Sequence, residues 1–229
     1  MVNELDTKVL SRKFDLIAFD WDGTLYDSTA VISKAIQLAV ADLGFEPPSD
    51  EKASYVIGLG LAHALRLAAP EITPEHYPQL SQRYMHHYDV HANDVSLFDG
   101  VLDMLYDLKQ QGFLLAIATG KSRKGLDQVL SSLPLQGLFD ASRTADQTEG
   151  KPSPKMLLEL MSELAVDSSK TLMIGDTSHD LQMATNANCA SLGVSYGAHA
   201  VHQLNHCSPL AVLHSAKELH LWLSQNAKY

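Results

Sequence analysis

Two carboxylates, Asp20 and Asp22, stand two residues apart in the run Phe19-Asp20-Trp21-Asp22-Gly23-Thr24-Leu25, directly after the apolar stretch 14–19. Such a pair can supply a nucleophile and a proton carrier side by side. A strand sends residues i and i+2 to the same side, and Gly23 gives the backbone freedom for a sharp turn just beyond them. Asp20 and Asp22 are therefore expected to project together from the carboxyl end of a strand, where open α/β sheets bind their ligands.

Three further segments carry groups that suit this pair. Leu114-Leu115-Ala116-Ile117-Ala118-Thr119-Gly120 is an apolar run ending in a hydroxyl and a glycine. Thr171-Leu172-Met173-Ile174-Gly175-Asp176 ends in a carboxylate, with Asp180 four residues on. Between them, Gly150-Lys151-Pro152 sets a cation in a loop just ahead of a helix. This order resembles the four motifs of the haloacid dehalogenase-like hydrolase superfamily, and the resemblance runs from about Phe14 into the C-terminal region.

The residues and the resemblance together define a chemistry. An aspartate nucleophile suits phosphoryl transfer, because the acyl phosphate it forms is reactive enough for water to cleave in a second step. Asp20 is the candidate nucleophile. Asp22 can protonate the leaving oxygen in the first step and deprotonate water in the second. Thr119 and the Gly120 amide can donate to the transferring phosphoryl oxygens, with Lys151 balancing the remaining charge. Two carboxylates of the first motif and a third from Asp176 would repel one another without a cation between them, and hard oxygen ligands suit Mg²⁺. The resemblance implies the ligand set: the Asp20 carboxylate, the Asp22 backbone carbonyl and the Asp176 carboxylate. Asp180 is then expected behind them, orienting a metal-bound water or pairing with Lys151.

The expected function is a Mg²⁺-dependent phosphatase acting on a small phosphorylated metabolite through an aspartyl-phosphate. Asp22 argues against the branch of the superfamily that cleaves carbon–halogen bonds, which lacks the second aspartate and the metal. It also argues against the phosphonate-cleaving branch, which has alanine there. A phosphosugar mutase shares all four motifs and stays open as an alternative. So does, from another class, a non-catalytic module that senses a phosphorylated ligand.

Other patterns fail on their spacing. A calcium loop starting at Asp20 would need glycine where Leu25 stands and glutamate where Val31 stands. Reading Gly120-Lys121-Ser122 as a nucleotide loop would need glycine at Leu115. His87 and His91 have helical i, i+4 spacing beside His86, but no glutamate or cysteine accompanies them at a recognised spacing.

These groups must be positioned by a sheet. From residue 98 onward helical and strand patterns alternate, the signature of a parallel sheet wrapped by helices. Helices are expected over 101–111, 122–132, 153–165, 178–186 and 215–224, and strands over 113–119, from 139, over 171–174, 190–194 and 210–213. The fold class is thus α/β, and the resemblance implies a Rossmann-like parallel core formed by residues 1–27 and 98–229. Residues 28–97 show no convincing strand, and windows 28–43, 60–69 and 75–88 are helical, broken by prolines. In the superfamily an insertion here is a helical cap over the active site, and Ile57-Gly58-Leu59-Gly60-Leu61 resembles the cap segment of phosphoglycolate phosphatase-like members. His63 and Arg66 are the cap residues expected to face the phosphoryl site.

The whole chain sets bounds. At 229 residues it can bury a substantial core, and 45% apolar with 19% charged residues describes an ordinary globular protein. A net charge of −10 argues against nucleic-acid or anionic-membrane partners. Cys189 and Cys207 lack the spacing of a zinc site or disulfide framework and are expected as free thiols in a reducing compartment. Residues 1–13 have no continuous apolar stretch, and no segment approaches the ~20 apolar residues of a membrane span, so a cytoplasmic protein is the default.

Overall fold

The computed structural model describes residues 12–91, 95–132 and 134–227. Its centre is strand β1 (Leu16–Phe19), every residue of which is buried. A short, continuously apolar run of this kind can be satisfied only as an inner strand covered on both faces. β1 pairs in parallel with β2 (Leu114–Thr119) on one side and β4 (Thr171–Gly175) on the other. With β3 (Ala141–Thr144), β5 (Ala190–Val194) and β6 (Val212–Leu213), the order is β3-β2-β1-β4-β5-β6, parallel throughout. That is the doubly wound order whose direction reverses between β1 and β4.

Side-chain alternation assigns the helices to the two faces. Ile17, Phe19, Leu115, Ile117 and Leu172 share a cluster with α5 (Val101–Gln110) and α10 (Ala216–Asn226). Leu16, Ala18, Ala116 and Met173 pack with α7 (Lys155–Leu164) and α8 (Ser178–Asn186). Helix α6 (Arg123–Ser132) inserts Leu126 into the first cluster, and α9 (Val201–Asn205) is a short turn before β6. The third strand begins later than residue 139, because the Asp140 carboxylate, not a backbone carbonyl, accepts the Leu115 amide at 2.8 Å; regular pairing starts with Ala141 opposite Ala116.

Between β1 and α5 the described elements are all helical: α1 (Thr29–Asp42), α2 (Asp50–Tyr55), α3 (Leu61–Ala68), a 3-10 turn (Pro74–His76) and α4 (Tyr77–His91). Helix α2 was not expected from periodicity, being too short; it is built by Ser49, whose hydroxyl accepts the Lys52 amide at 3.2 Å. Ile36, Val40, Leu65, Ile72 and Leu80 form the helices' own apolar cluster, separate from the two clusters of the sheet. The chain leaves and re-enters the sheet layer through a short antiparallel ribbon. Asp27 N–H donates to Ser96 O at 2.9 Å, Phe98 N–H donates to Leu25 O at 3.1 Å, and Tyr26 bridges Leu97.

Among the described residues no helix is long and apolar enough to cross a membrane, and both cysteines are free. Residues 1–11, part of the N-terminal stretch read from sequence, lie outside the described ones, as do 92–94 within 28–97.

Leu80 is the buried anchor of α4. Leu80→Ala should lower stability by about 2–5 kcal/mol, the usual cost of truncating a core leucine. A urea unfolding curve checks this; an unchanged midpoint would show that α4 is held by something other than its apolar face.

Candidate active site

Strand register brings the sequence motifs together. Phe19 pairs with Ile117 on one side and Ile174 on the other, so Asp20, Thr119 and Asp176 all emerge at the carboxyl ends of three adjacent strands. Asp20 and Asp176 flank the gap between β1 and β4, where the winding direction reverses.

The loop before α7 sends Lys151 into this gap, where its side chain is wholly buried. Its ammonium lies 2.5 Å from Asp20 Oδ1 and 2.6 Å from Asp180 Oδ1, the second an ion pair outside hydrogen-bond geometry. Asp20 Oδ2, equally buried, has no hydrogen-bond partner. Asp176 is held on both oxygens: Thr24 Oγ1–H donates to Oδ1 at 2.8 Å, and the Ala198 N–H donates to Oδ2 at 2.7 Å. Glycines make room for this packing, since a side-chain carbon on Gly23 or Gly197 would overlap the Asp176 carboxylate and one on Gly175 would overlap Asp180. Gly23 also has φ +86, which other residues rarely adopt.

Asp180 is fixed by a reciprocal capping box at the start of α8. The Thr177 hydroxyl and amide donate to Asp180 Oδ2 at 2.6 and 3.1 Å, while the Asp180 amide donates back to Thr177 Oγ1.

Three buried carboxylates thus face one ammonium. Burial raises the Asp20 pKa well above the carboxylate range; Lys151 opposes this, while Asp180 and Asp176 add to it. Burial and the neighbouring Asp180 push Asp176 up to about 7, against the pull of the Ala198 amide, Thr24 and Lys151. Burial disfavours the Lys151 charge, but Asp180 and Asp20 outweigh it and hold the ammonium above its usual range. Oxygens of Asp20, Asp176 and Asp180 lie within 4.8 Å of one another. Excess negative charge, oxygen-only ligands and the unpartnered Asp20 Oδ2 fit a divalent cation.

Asp22 has polar partners that Asp20 does not share. Sheet pairing ends at Phe19, and the chain then curls around the Trp21 carbonyl, which accepts the amides of Thr24, Leu25 and Tyr26. The Asp22 carboxylate lies just beyond this point. The Ser28 hydroxyl donates to Asp22 Oδ1 at 2.6 Å, in place of capping α1, and Lys121 Nζ lies 3.0 Å from the same oxygen. Lys121 Nζ also donates to the Tyr88 hydroxyl at 3.1 Å and sits 4.9 Å from the ring centroid. Burial alone would depress this ammonium, but Asp22 and the phenols of Tyr88 and Tyr84 outweigh it and keep it protonated. Sequence reasoning gave Lys121 no role; its place directly after Thr119-Gly120 was the available signal. Thr119 Oγ1 accepts the Lys121 N–H at 3.2 Å, which leaves the hydroxyl proton free to donate elsewhere.

Asp22, Gly120 and Lys121 open onto a cavity of about 290 Å³ between the helical layer and α6. The turn before α3 closes down on the motif residues, and a side-chain carbon on Gly120 would come within 2.5 Å of the Gly58 carbonyl oxygen. His63 and Arg66 do not face this cavity. Both are exposed, because α3 turns Ala64 and Leu65 inward instead. His87 pairs with Asp42 at 2.8 Å, and no candidate metal cluster among the described residues includes it.

The family model for haloacid dehalogenase-like hydrolases matches residues 17–194, which hold the motifs just described. The chain belongs to the haloacid dehalogenase-like hydrolase family. Within it, the chain is 34% identical over 210 residues to "Probable phosphatase IndB" of Dickeya dadantii, covering 89% of this chain and 91% of that protein. It is 33% identical over 205 residues to the phosphoglycolate phosphatase of Aliivibrio fischeri, covering 86% and 88%. The fold matches a crystal structure of a hydrolase from Pseudomonas syringae with TM-score 0.85 and 23% identity, over 93% of this chain and 100% of that one.

A buried carboxylate with a raised pKa makes the folded state bind more protons than the unfolded one, so stability falls as pH rises between the two values. For Asp176 the window runs from about 3.9 in the unfolded chain to about 7 in the folded one. The melting temperature of chelator-treated protein should therefore drop between pH 5 and 7.5, and Asp176→Asn should flatten that slope. Adding a divalent cation should restore stability most at the upper end; a melting temperature indifferent to cation would argue against the site.

Proposed function

We propose that this protein is a phosphatase, hydrolysing small-molecule phosphomonoesters with Asp20 as nucleophile. The observation that carries this reading is the split environment of Asp20: Oδ1 is tied to Lys151 at 2.5 Å while Oδ2 is left without a partner at the strand end. Lys151 prevents the carboxylate from rotating, so Oδ2 is presented to an incoming phosphorus.

In the first step Asp20 Oδ2 attacks the phosphorus, and the bond to the ester oxygen breaks. Asp22, oriented by the Ser28 hydroxyl, gives its proton to that oxygen, and the alcohol leaves. Water then attacks the aspartyl-phosphate with Asp22 taking its proton, which releases phosphate and restores Asp20. The Thr119 hydroxyl, whose oxygen already accepts the Lys121 amide, donates with the Gly120 N–H to the phosphoryl oxygens. A cation, Mg²⁺ in this reading, would be held by the Asp20 and Asp176 carboxylates with the Asp22 backbone carbonyl, and would neutralise charge on the phosphoryl group. Asp180 acts behind these groups by holding Lys151 in place. The helical layer formed by residues 28–97 serves as the cap over the site. The free thiols and the acidic chain suit a cytoplasmic enzyme acting on a soluble metabolite.

Asp20→Asn should reduce metal-dependent phosphate release by roughly a thousandfold or more while leaving the melting temperature within a few degrees of wild type. Turnover that survives the substitution would remove Asp20 from the nucleophile's role. Phosphate release also separates a hydrolase from a mutase, which passes the phosphoryl group to a second hydroxyl.

A further inference from the structure

The cavity beside Asp22 has a composition that bears on the alcohol half of the ester. It holds roughly ten water-sized groups at ~30 Å³ each, within its 290 Å³. The helices above it contribute Ile32, Ile36, Val56, Leu61, Tyr84 and Met85. Among the described residues, no lysine, arginine or histidine of α1–α4 lines it, and the layer's charged contribution is Asp89. Below, Lys121 is already balanced by Asp22 at 3.0 Å and bonded to Tyr88. Lys124 stands exposed at the mouth. Tyr84 and Tyr88 lie ring against ring, centroids 6.0 Å apart at 28°, and burial raises both phenol pKa values so that they stay neutral.

A compact acid in this space would gain little from the apolar walls and would bring a carboxylate up to Asp89, with Lys121 engaged by Tyr88 and Lys124 exposed to solvent. An apolar ring would instead replace water against aliphatic and aromatic walls. Resting on the phosphatase reading, we infer that the substrate is the phosphate ester of an uncharged, ring-bearing alcohol, not of a small acid such as glycolate. The phenols and Lys121 serve hydroxyl groups on that ring, and the aliphatic side chains cover its faces.

The test compares kcat/KM with Mg²⁺ for benzyl phosphate, ethyl phosphate and 2-phosphoglycolate; benzyl and ethyl esters both leave as unactivated alcohols, so the comparison reads the pocket. Benzyl phosphate should lead both others by about tenfold or more, the scale on which an apolar pocket discriminates. Met85→Lys, at an exposed position on the cavity wall, should shrink the benzyl-to-phosphoglycolate ratio about tenfold by adding a cation to that wall. Phosphoglycolate equal to or ahead of benzyl phosphate in the wild type would overturn the inference while leaving the phosphatase reading intact. A ratio unmoved by Met85→Lys would likewise overturn it, by showing that the leaving group sits elsewhere. No metal-dependent release from any of the three esters would overturn the phosphatase reading itself.

Discussion

Everything at the carboxyl end of the sheet is arranged around a buried charge imbalance: one ammonium, Lys151, against the carboxylates of Asp20, Asp176 and Asp180. Taking an ion out of water costs several kcal/mol, and an imbalance of one sign adds repulsion that packing alone does not relieve. The surrounding structure answers with fixed donors. Thr24 and the Ala198 amide hold Asp176, Thr177 holds Asp180, and Gly23, Gly175 and Gly197 let backbone approach where a side chain would collide. What remains uncompensated is concentrated on Asp20 Oδ2 and its neighbours, a setting that fits a divalent cation.

A second, partly buried cation divides the site into halves. Lys151 serves the carboxylate cluster under the sheet ends, and Lys121 serves Asp22 on the side of the helical layer. The two lysines thus pair with different carboxylates, Lys151 with Asp20 and Asp180, and Lys121 with Asp22. The helical layer is joined to these settings by contact as well as by its ribbon. The Tyr55 carbonyl at the end of α2 meets the rings of His179 and His199 at 2.9 and 3.0 Å, and the Ser54 hydroxyl donates to the Ala198 carbonyl at 3.0 Å. Residue 198 donates its amide to Asp176. The position of the helices and the geometry of the carboxylate cluster are therefore mechanically connected through residues 197–199.

The inner strands and the long helices were legible because their patterns are strong. Leu16–Phe19 and Thr171–Gly175 are apolar runs that only a doubly covered strand can use, and α8 and β5 begin and end at their expected residues. Less legible were α2 and α9, of six and five residues, since a helix that short carries barely one repeat of an apolar pattern. The start of β3 was displaced by a single side-chain substitution for a backbone bond, at Asp140. Inward-facing residues of the helical layer were misjudged at His63 and Arg66, because a polar residue in a helix is read by its chemistry while its direction is set by which neighbours need burial.

The sequence by itself determined which chemical groups this protein has and the order in which strands carry them: Asp20, Thr119, Lys151, Asp176 and Asp180 follow from local patterns of apolar run, turn and charge. Only the tertiary structure decided which of these groups meet. Parallel pairing of β1 with both β2 and β4 joins residues more than ninety positions apart, and the fold gives Asp22 its own partners, Ser28 and Lys121. Partnership across such distances is fixed by the packing of the whole sheet, which no local spacing encodes. Lys121 belongs to the same class: a lysine after a glycine is unremarkable along the chain, and becomes part of the site because α1 and α4 bring Ser28 and Tyr88 to it and to Asp22.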